Sequence, residues 1–126
     1  MPKDDRLPET FAALRAILAS HAKRMVVTAD QPGHYQLSAR TMTDRTGRPL
    51  FCASVQIKKN YVSYHFMPVY ASKALRDSMS PALRKRMQGK GCFNFTTPDP
   101  EQLKELAAVT RRGIAGFKNL KLPWSR

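Results

Sequence analysis

Apolar residues recur at helical spacing near both ends of the chain. From Pro8 the spacing predicts an amphipathic helix with Thr10 as its N-cap. Its apolar stripe consists of Phe11, Leu14, Ile17 and Leu18. Towards the other end, the segment DPEQ, 99–102, combines an acidic cap, a proline at the first helical position and a glutamine three residues after the cap. We expect a second long helix to begin there and to end near GIAGF, 113–117.

Between these helices, apolar and polar residues alternate with a period of two, which is typical of strands with one buried face. A β-branched run over 25–28 ends at a turn signal, Pro32-Gly33. Three alternating runs follow, over 34–42, 49–58 and 61–66. The side chains expected on the buried face are Tyr35, Leu37, Ala39, Phe51, Ala53, Val55, Ile57, Val62, Tyr64 and Phe66.

The connections between these runs predict an antiparallel meander. The loop 44–48 is short enough for a hairpin, and Lys59-Asn60 reads as a two-residue turn. Such a turn sets the pairing of the last two runs. The predicted pairs are Ile57 with Val62, Val55 with Tyr64, Gln56 with Ser63 and Ser54 with His65.

The segment before the last strand is predicted to be a helical insert. We expect one short helix over 71–79, and a second that Ser80 caps and that ends near Gly89. The segment GCFNF, 91–95, is then predicted to be a short strand. The order of elements predicts an α+β fold with an antiparallel sheet of about four or five strands, packed on the N- and C-terminal helices.

Composition narrows the class of protein. A chain of 126 residues is one ordinary domain, and we assign it to 1–118, followed by a basic tail over 119–126. No apolar run approaches the ~20 residues that span a bilayer. The first ten residues carry acids and no apolar segment follows them, so we expect no export signal and a cytoplasmic protein. Without export, Cys52 and Cys92 are expected to be buried, reduced and unbridged.

The order of short motifs resembles the YdhG-like domain of unknown function. The segments that carry the resemblance are KKNYVSYHF (58–66), GKGCFNF (89–95) and GIAGF (113–117), with the capped helix between the last two. The resemblance covers about residues 8–118 and implies a small intracellular bacterial α+β domain. Some members are likened to frataxin as iron chaperones, a role that uses exposed Asp and Glu as ligands. Acids are scarce here, which disfavours that role, and we predict no metal and no cofactor.

The alternation places a set of polar residues on the outer side of the sheet. These candidate ligand-binding residues are His34, Arg40, Gln56, Lys58, Tyr61, Ser63 and His65. Tyr, Arg and His together can stack on an anionic ligand and donate hydrogen bonds to it. His65 is the best single candidate, although no acid accompanies it in a catalytic spacing. The alternative is that this face is only a solvated surface.

The charge balance suggests a second candidate surface. Lys and Arg number 22 against 9 Asp and Glu, a formal net charge of +13. The cations proposed to contact a polyanion are Arg84, Lys85, Arg86, Lys90, Arg111 and Arg112. RKRMQGKG, 84–91, lacks the order of a phosphate-binding loop, and a solvated helix end is the alternative.

We therefore expect a non-enzymatic intracellular binding or adaptor domain of unknown ligand, in a monomer or small homo-oligomer, with an anionic ligand or polyanion as the candidate partner. A nonspecific nucleic-acid-associated protein is the first alternative, because charge alone attracts phosphates. A frataxin-like iron chaperone is the second. A small hydrolase or transferase, its side chains assembled from distant positions, is the third.

Overall fold

The structure, a computed structural model, describes residues 6–89 and 91–117. Lys90 and the predicted tail over 119–126 lie outside these ranges. The elements in chain order are α1 (Leu7–Ala19), a 3-10 turn (Ala22–Arg24), β1 (Val26–Gln31), β2 (His34–Thr43), β3 (Pro49–Ile57), β4 (Val62–Phe66), α2 (Met67–Ala71), α3 (Lys73–Asp77), α4 (Pro81–Arg84), β5 (Cys92–Phe95) and α5 (Pro100–Phe117). The predicted α+β class is confirmed.

The sheet is an antiparallel meander of five strands in the order β1-β2-β3-β4-β5. All four predicted pairs between β3 and β4 are present. The amide of Lys58 donates to the carbonyl of Tyr61 at 2.8 Å and closes the turn between these strands. Tyr64 and Val55 are fully buried, whereas their neighbours Ser63 and Gln56 are half-exposed, as the alternation predicts.

A β-bulge changes the alternation at the start of β3. Leu37 pairs with Ala53, but the next residue of β2, Ser38, pairs with Phe51, so Cys52 is an extra residue. Such a bulge shifts the side chains beyond it to the opposite faces. The prediction that Phe51 lies on the buried face is therefore wrong, whereas the prediction that Cys52 is buried is confirmed. Cys52 is fully buried in the core, and Phe51 is half-exposed on the other side.

The two cysteines lie on opposite faces of the sheet. Both are free thiols, as predicted. Burial raises the pKa of the Cys52 thiol to about 12. Cys92 is half-exposed and contacts Ser63 on the outer side, so the expectation that it is buried is wrong. The reason is its register: Cys92 pairs with His65, and paired residues share a face.

Helix boundaries depart from the predictions at three places. Thr10 is not an N-cap, because α1 already begins at Leu7; its buried hydroxyl donates to the Arg6 carbonyl at 2.6 Å. The single helix predicted over 71–79 is two short helices, since Ser72 adopts an extended conformation and accepts a hydrogen bond from the Leu75 amide. The helix capped by Ser80 ends at Arg84, well before Gly89.

The capping predicted for the last helix is confirmed. The Asp99 carboxylate accepts hydrogen bonds from the amides of Glu101 and Gln102 at 3.0 and 3.2 Å. On the sheet side of α5, the Tyr64 and Thr110 hydroxyls lie 2.6 Å apart in the core. The largest fully buried side chains are Tyr64, Phe66, Phe93, Phe95, Leu14, Leu18, Leu37, Leu83 and Leu106.

Helix α5 approaches the sheet most closely at Gly113. A Cβ atom at this position would lie 2.5 Å from the Phe66 ring and 3.0 Å from Pro68, closer than real contacts allow. A Cβ atom at Gly116, one turn later, would have no neighbour within 4 Å. Because Gly113 has no side chain, α5 can pack closely against β4. Gly116 has no such role.

These two glycines make a matched test of the packing. We expect Gly113→Ala to lower the free energy of unfolding by about 1–3 kcal/mol, because the added methyl forces Phe66 or the helix to move. Gly116→Ala should raise it by up to about 1 kcal/mol, because alanine favours the helix and meets no neighbour. Urea unfolding of both variants measures this; equal effects of the two substitutions would contradict the packing described.

The placement of the thiols is tested by their reactivity. In the folded protein we expect one thiol, Cys92, to react rapidly with a disulfide reagent, because Cys52 is buried and its pKa is raised. Cys52 should react only after unfolding. Cys92→Ser is the control and should leave no fast-reacting thiol; a linked Cys52–Cys92 peptide without added oxidant would refute the assignment.

Candidate functional site

The side of the sheet away from α1 and α5 is the candidate site, and we call it the outer face. Its side chains, placed by the strand pairs, by alternation along β2 and by side-chain hydrogen bonds, include Thr28, His34, Gln36, Ser38, Arg40, Phe51, Ser54, Gln56, Lys58, Ser63, His65, Cys92 and Asn94. Within the described ranges, no side-chain hydrogen bond or ring contact joins these residues to an α-helix. Arg15 of α1 lies over the Tyr35 ring and Thr110 of α5 meets Tyr64, so both long helices pack on the opposite face.

A row of hydrogen bonds crosses strands β2 and β3 on this face. The Lys58 ammonium donates to Gln56 Oε1 at 2.7 Å, which leaves the Gln56 amide nitrogen directed at His34. That nitrogen lies 3.2 Å from His34 Nε2, and because an amide nitrogen only donates, the ring nitrogen accepts. The structure thus brings together Lys58, Gln56 and His34, as the alternation predicts.

The other predicted residues of the face lie apart from this row. Ser63 pairs with Cys92 instead, their side-chain oxygen and sulfur 3.1 Å apart. Arg40 reaches towards the chain before β1, where its guanidinium donates to the Lys23 carbonyl at 2.7 Å. Tyr61 is half-buried in the turn before β4.

His65 is exposed and its ring lies beside Phe51. The two ring centroids are 5.2 Å apart and the planes are nearly perpendicular, at 79°. Burial of part of the imidazole lowers its pKa below the ordinary 6.5, so the ring is neutral at pH 7. The sequence predicted His65 as the best candidate but not its aromatic neighbour, since Phe51 was assigned to the core.

The outer face carries no acid in the part of the chain that the structure describes. The acids lie elsewhere and are engaged there: Asp30 with Arg15 at 3.1 Å, Asp77 with Lys73 at 2.7 Å, and Glu105 with the Ser80 hydroxyl at 2.6 Å. Among the described residues, no carboxylate forms an ion pair with Arg40 or Lys58. The electrostatic character of this face is positive.

The cations of the second predicted surface have different surroundings. Arg84 and Lys85 are exposed and line a shallow depression. Arg86 is half-buried; it donates to Gln102 Oε1 at 2.9 Å and lies 5.8 Å from the centre of the Phe95 ring. It thus serves the packing of α5.

The two arginines of α5 point to separate neighbourhoods. Arg111 lies near His21. The pKa of the His21 imidazole is lowered, mainly by burial and then by the positive charges of Arg24 and Arg111. Arg112 lines a cavity of about 350 Å³ between the helical insert and α5 that the sequence did not indicate. Lys90 lies outside the described residues. Of the described cations, Arg84 and Lys85 line one depression, while Arg86, Arg111 and Arg112 have the separate surroundings given above.

The described residues contain no group of three or more His, Cys, Asp or Glu side chains that could hold a metal ion. Over the same residues, no helix has the length and apolar character needed to cross a membrane. Comparison of the chain with protein-family models, with curated proteins and with solved structures gives no match in any of the three. The functional argument therefore depends on the outer face itself.

The environment of His65 leads to a pH prediction. We expect its pKa, followed by proton NMR, to lie below 6.5, and to rise towards 6.5 in Phe51→Ala because removal of the ring admits water. A lowered histidine pKa stabilises the fold above the unfolded-state value, and this contribution is lost as the pH falls through the folded-state value. His65→Gln should therefore weaken the loss of stability between pH 7 and pH 5. An unshifted His65 would contradict the burial.

Proposed function

We propose that this protein is a non-enzymatic binding domain that takes an anionic ligand on its outer face. The observation that carries the proposal is the combination of Arg40 and Lys58 with the absence of any acid from the described residues of that face. Positive side chains that no carboxylate neutralises attract anions and release bound counterions when an anion binds.

Donors remain available on the outer face after its internal hydrogen bonds are counted. The Lys58 ammonium has three N–H groups, and Gln56 takes one of them. The Ser63 hydroxyl also lies on this face beside Cys92. An anion with several oxygens could therefore accept hydrogen bonds from neighbouring strands at once, which is how sheets hold phosphate and carboxylate groups.

The arrangement favours binding over catalysis. His65 is the only outer-face group with a lowered pKa, yet in the described residues its ring contacts Phe51 and no nucleophile or acid hydrogen-bonds to it. A general base needs a nucleophile within hydrogen-bond reach. The resemblance to the YdhG-like domain and the cytoplasmic location stay predictions; the iron-chaperone alternative has no support from the described side chains.

A nonspecific polyanion-binding protein is the second candidate. Its support is the net charge of +13 together with the exposure of Arg84, Lys85, Arg111 and Arg112. This candidate places the ligand on the helices, whereas the first places it on the sheet. Neutralisation of single lysines separates the two.

We expect a phosphate chain to bind the outer face with a salt dependence that Lys58 helps to set. The probe is a labelled abasic oligonucleotide of about ten residues, measured by anisotropy between about 0.05 and 0.2 M salt. Lys58→Gln should lower the slope of log affinity against log salt by about 0.7, the value for one contact to a single strand.

Two matched variants locate the site. Lys104→Gln removes the same charge from an exposed position of α5 and should leave the slope unchanged. Lys85→Gln tests the helical surface. A slope that falls in Lys85→Gln and not in Lys58→Gln would replace the first candidate by the second, and absence of binding at low salt would refute both.

A further inference from the structure

Phe51 is an aromatic side chain that the fold places on the polar side of the sheet. The three phenylalanines of β4 and β5, Phe66, Phe93 and Phe95, are fully buried. Phe51 is half-exposed, and it reaches the outer face because the bulge at Cys52 reverses the alternation of β3 at that point. Bulges of this kind redirect a single side chain and occur next to binding sites.

Phe51 and His65 together form an aromatic platform. Their centroids lie 5.2 Å apart in an edge-to-face arrangement that holds both rings in place. The Ser54 backbone pairs with His65, and Ser38 pairs with Phe51, so small polar residues flank the platform. Because burial of part of the ring lowers its pKa, the imidazole is mainly neutral at pH 7 when a base contacts it.

Phe51 lies near the start of β3 and Lys58 follows its last residue, while His65 lies beside the middle of the strand, opposite Ser54. Phe51 and Lys58 are seven positions apart, which is about 23 Å along an extended strand. The ammonium bends back to Gln56, five positions and about 16 Å along the strand from Phe51, so one nucleotide stacked on Phe51 cannot reach it. A chain of several nucleotides can, and sites of roughly 4–16 nucleotides are usual where a sheet binds a single strand.

We propose that the outer face binds single-stranded nucleic acid, with an unpaired base stacked on the Phe51 ring, the His65 ring against the edge of that base, and the phosphates following β3 towards Lys58. This inference rests on the proposed anion-binding function and names its ligand. A duplex does not fit the same site, because its bases are stacked within the helix and unavailable to a protein ring. Stacking is tolerant of sequence, so no single base is preferred strongly.

The first measurement uses the unmodified protein and isolates the contribution of the bases. Oligothymidylate of about ten nucleotides and the abasic oligomer of equal length carry the same phosphates. We expect oligothymidylate to bind at least about fivefold more tightly, the low end of the effect of stacking one base. Thymidine monophosphate should compete poorly, because it cannot reach Lys58.

The second measurement assigns the effect to Phe51. Phe51→Leu keeps an apolar side chain at the position and should remove most of the difference between the two oligomers while abasic binding stays unchanged. Tyr70→Leu is the matched control: it removes an aromatic ring that is 61% exposed on α2, away from the outer face, and should preserve the difference. Thermal unfolding of both variants confirms that they fold.

The possible results distinguish this inference from the anion-binding proposal on which it rests. Equal affinity for the two oligomers, with Lys58-dependent binding of both, would overturn base stacking and leave the anion site. Competition by the monophosphate as strong as that of the oligomer would overturn the extended site along β3. Loss of the difference in Tyr70→Leu, or binding of neither oligomer, would also overturn the inference, and the last result would overturn the anion site as well.

Discussion

The contact between Phe66 of β4 and Gly113 of α5 holds the long helix against the sheet. The ring occupies the space that any side chain at position 113 would need. This close approach brings Thr110 to within 2.6 Å of the Tyr64 hydroxyl, which satisfies a polar pair inside the core. Since α1 and α5 pack on the same side, the outer face is left without a helix over it.

The acidic side chains that the structure describes also lie away from the outer face. Most acids of the described residues are engaged in helix caps, ion pairs and loop turns, as with Asp99 at the start of α5, Asp30 beside Arg15 and Asp44 in the β2–β3 loop. None of them lies on the outer face. Because the acids lie elsewhere, the excess of cations over acids in the chain leaves this face positive. The net charge by itself does not determine which face is positive.

The bulge at Cys52 links the core to the candidate site. One inserted residue buries Cys52 fully and turns Phe51 outward, so a feature that completes the core also supplies the aromatic ring beside His65. An apolar ring left partly in water forgoes some of the free energy of burial. In the proposed function that cost is offset when a ligand covers the ring.

The sequence by itself determined the elements whose signals are local. Alternation over 53–66, the short turn at Lys59-Asn60 and the caps Ser80 and Asp99 each depend on neighbouring residues, and each was predicted correctly. The tertiary structure alone decided where Phe51 and Cys92 point. Residues 50–53 are all apolar or small, so their pattern contains no signal for a bulge, and the face of Cys92 follows from its pairing with His65. Pairing across strands is set by packing between distant segments, which is why the aromatic platform and the acid-free outer face could be seen only in the fold.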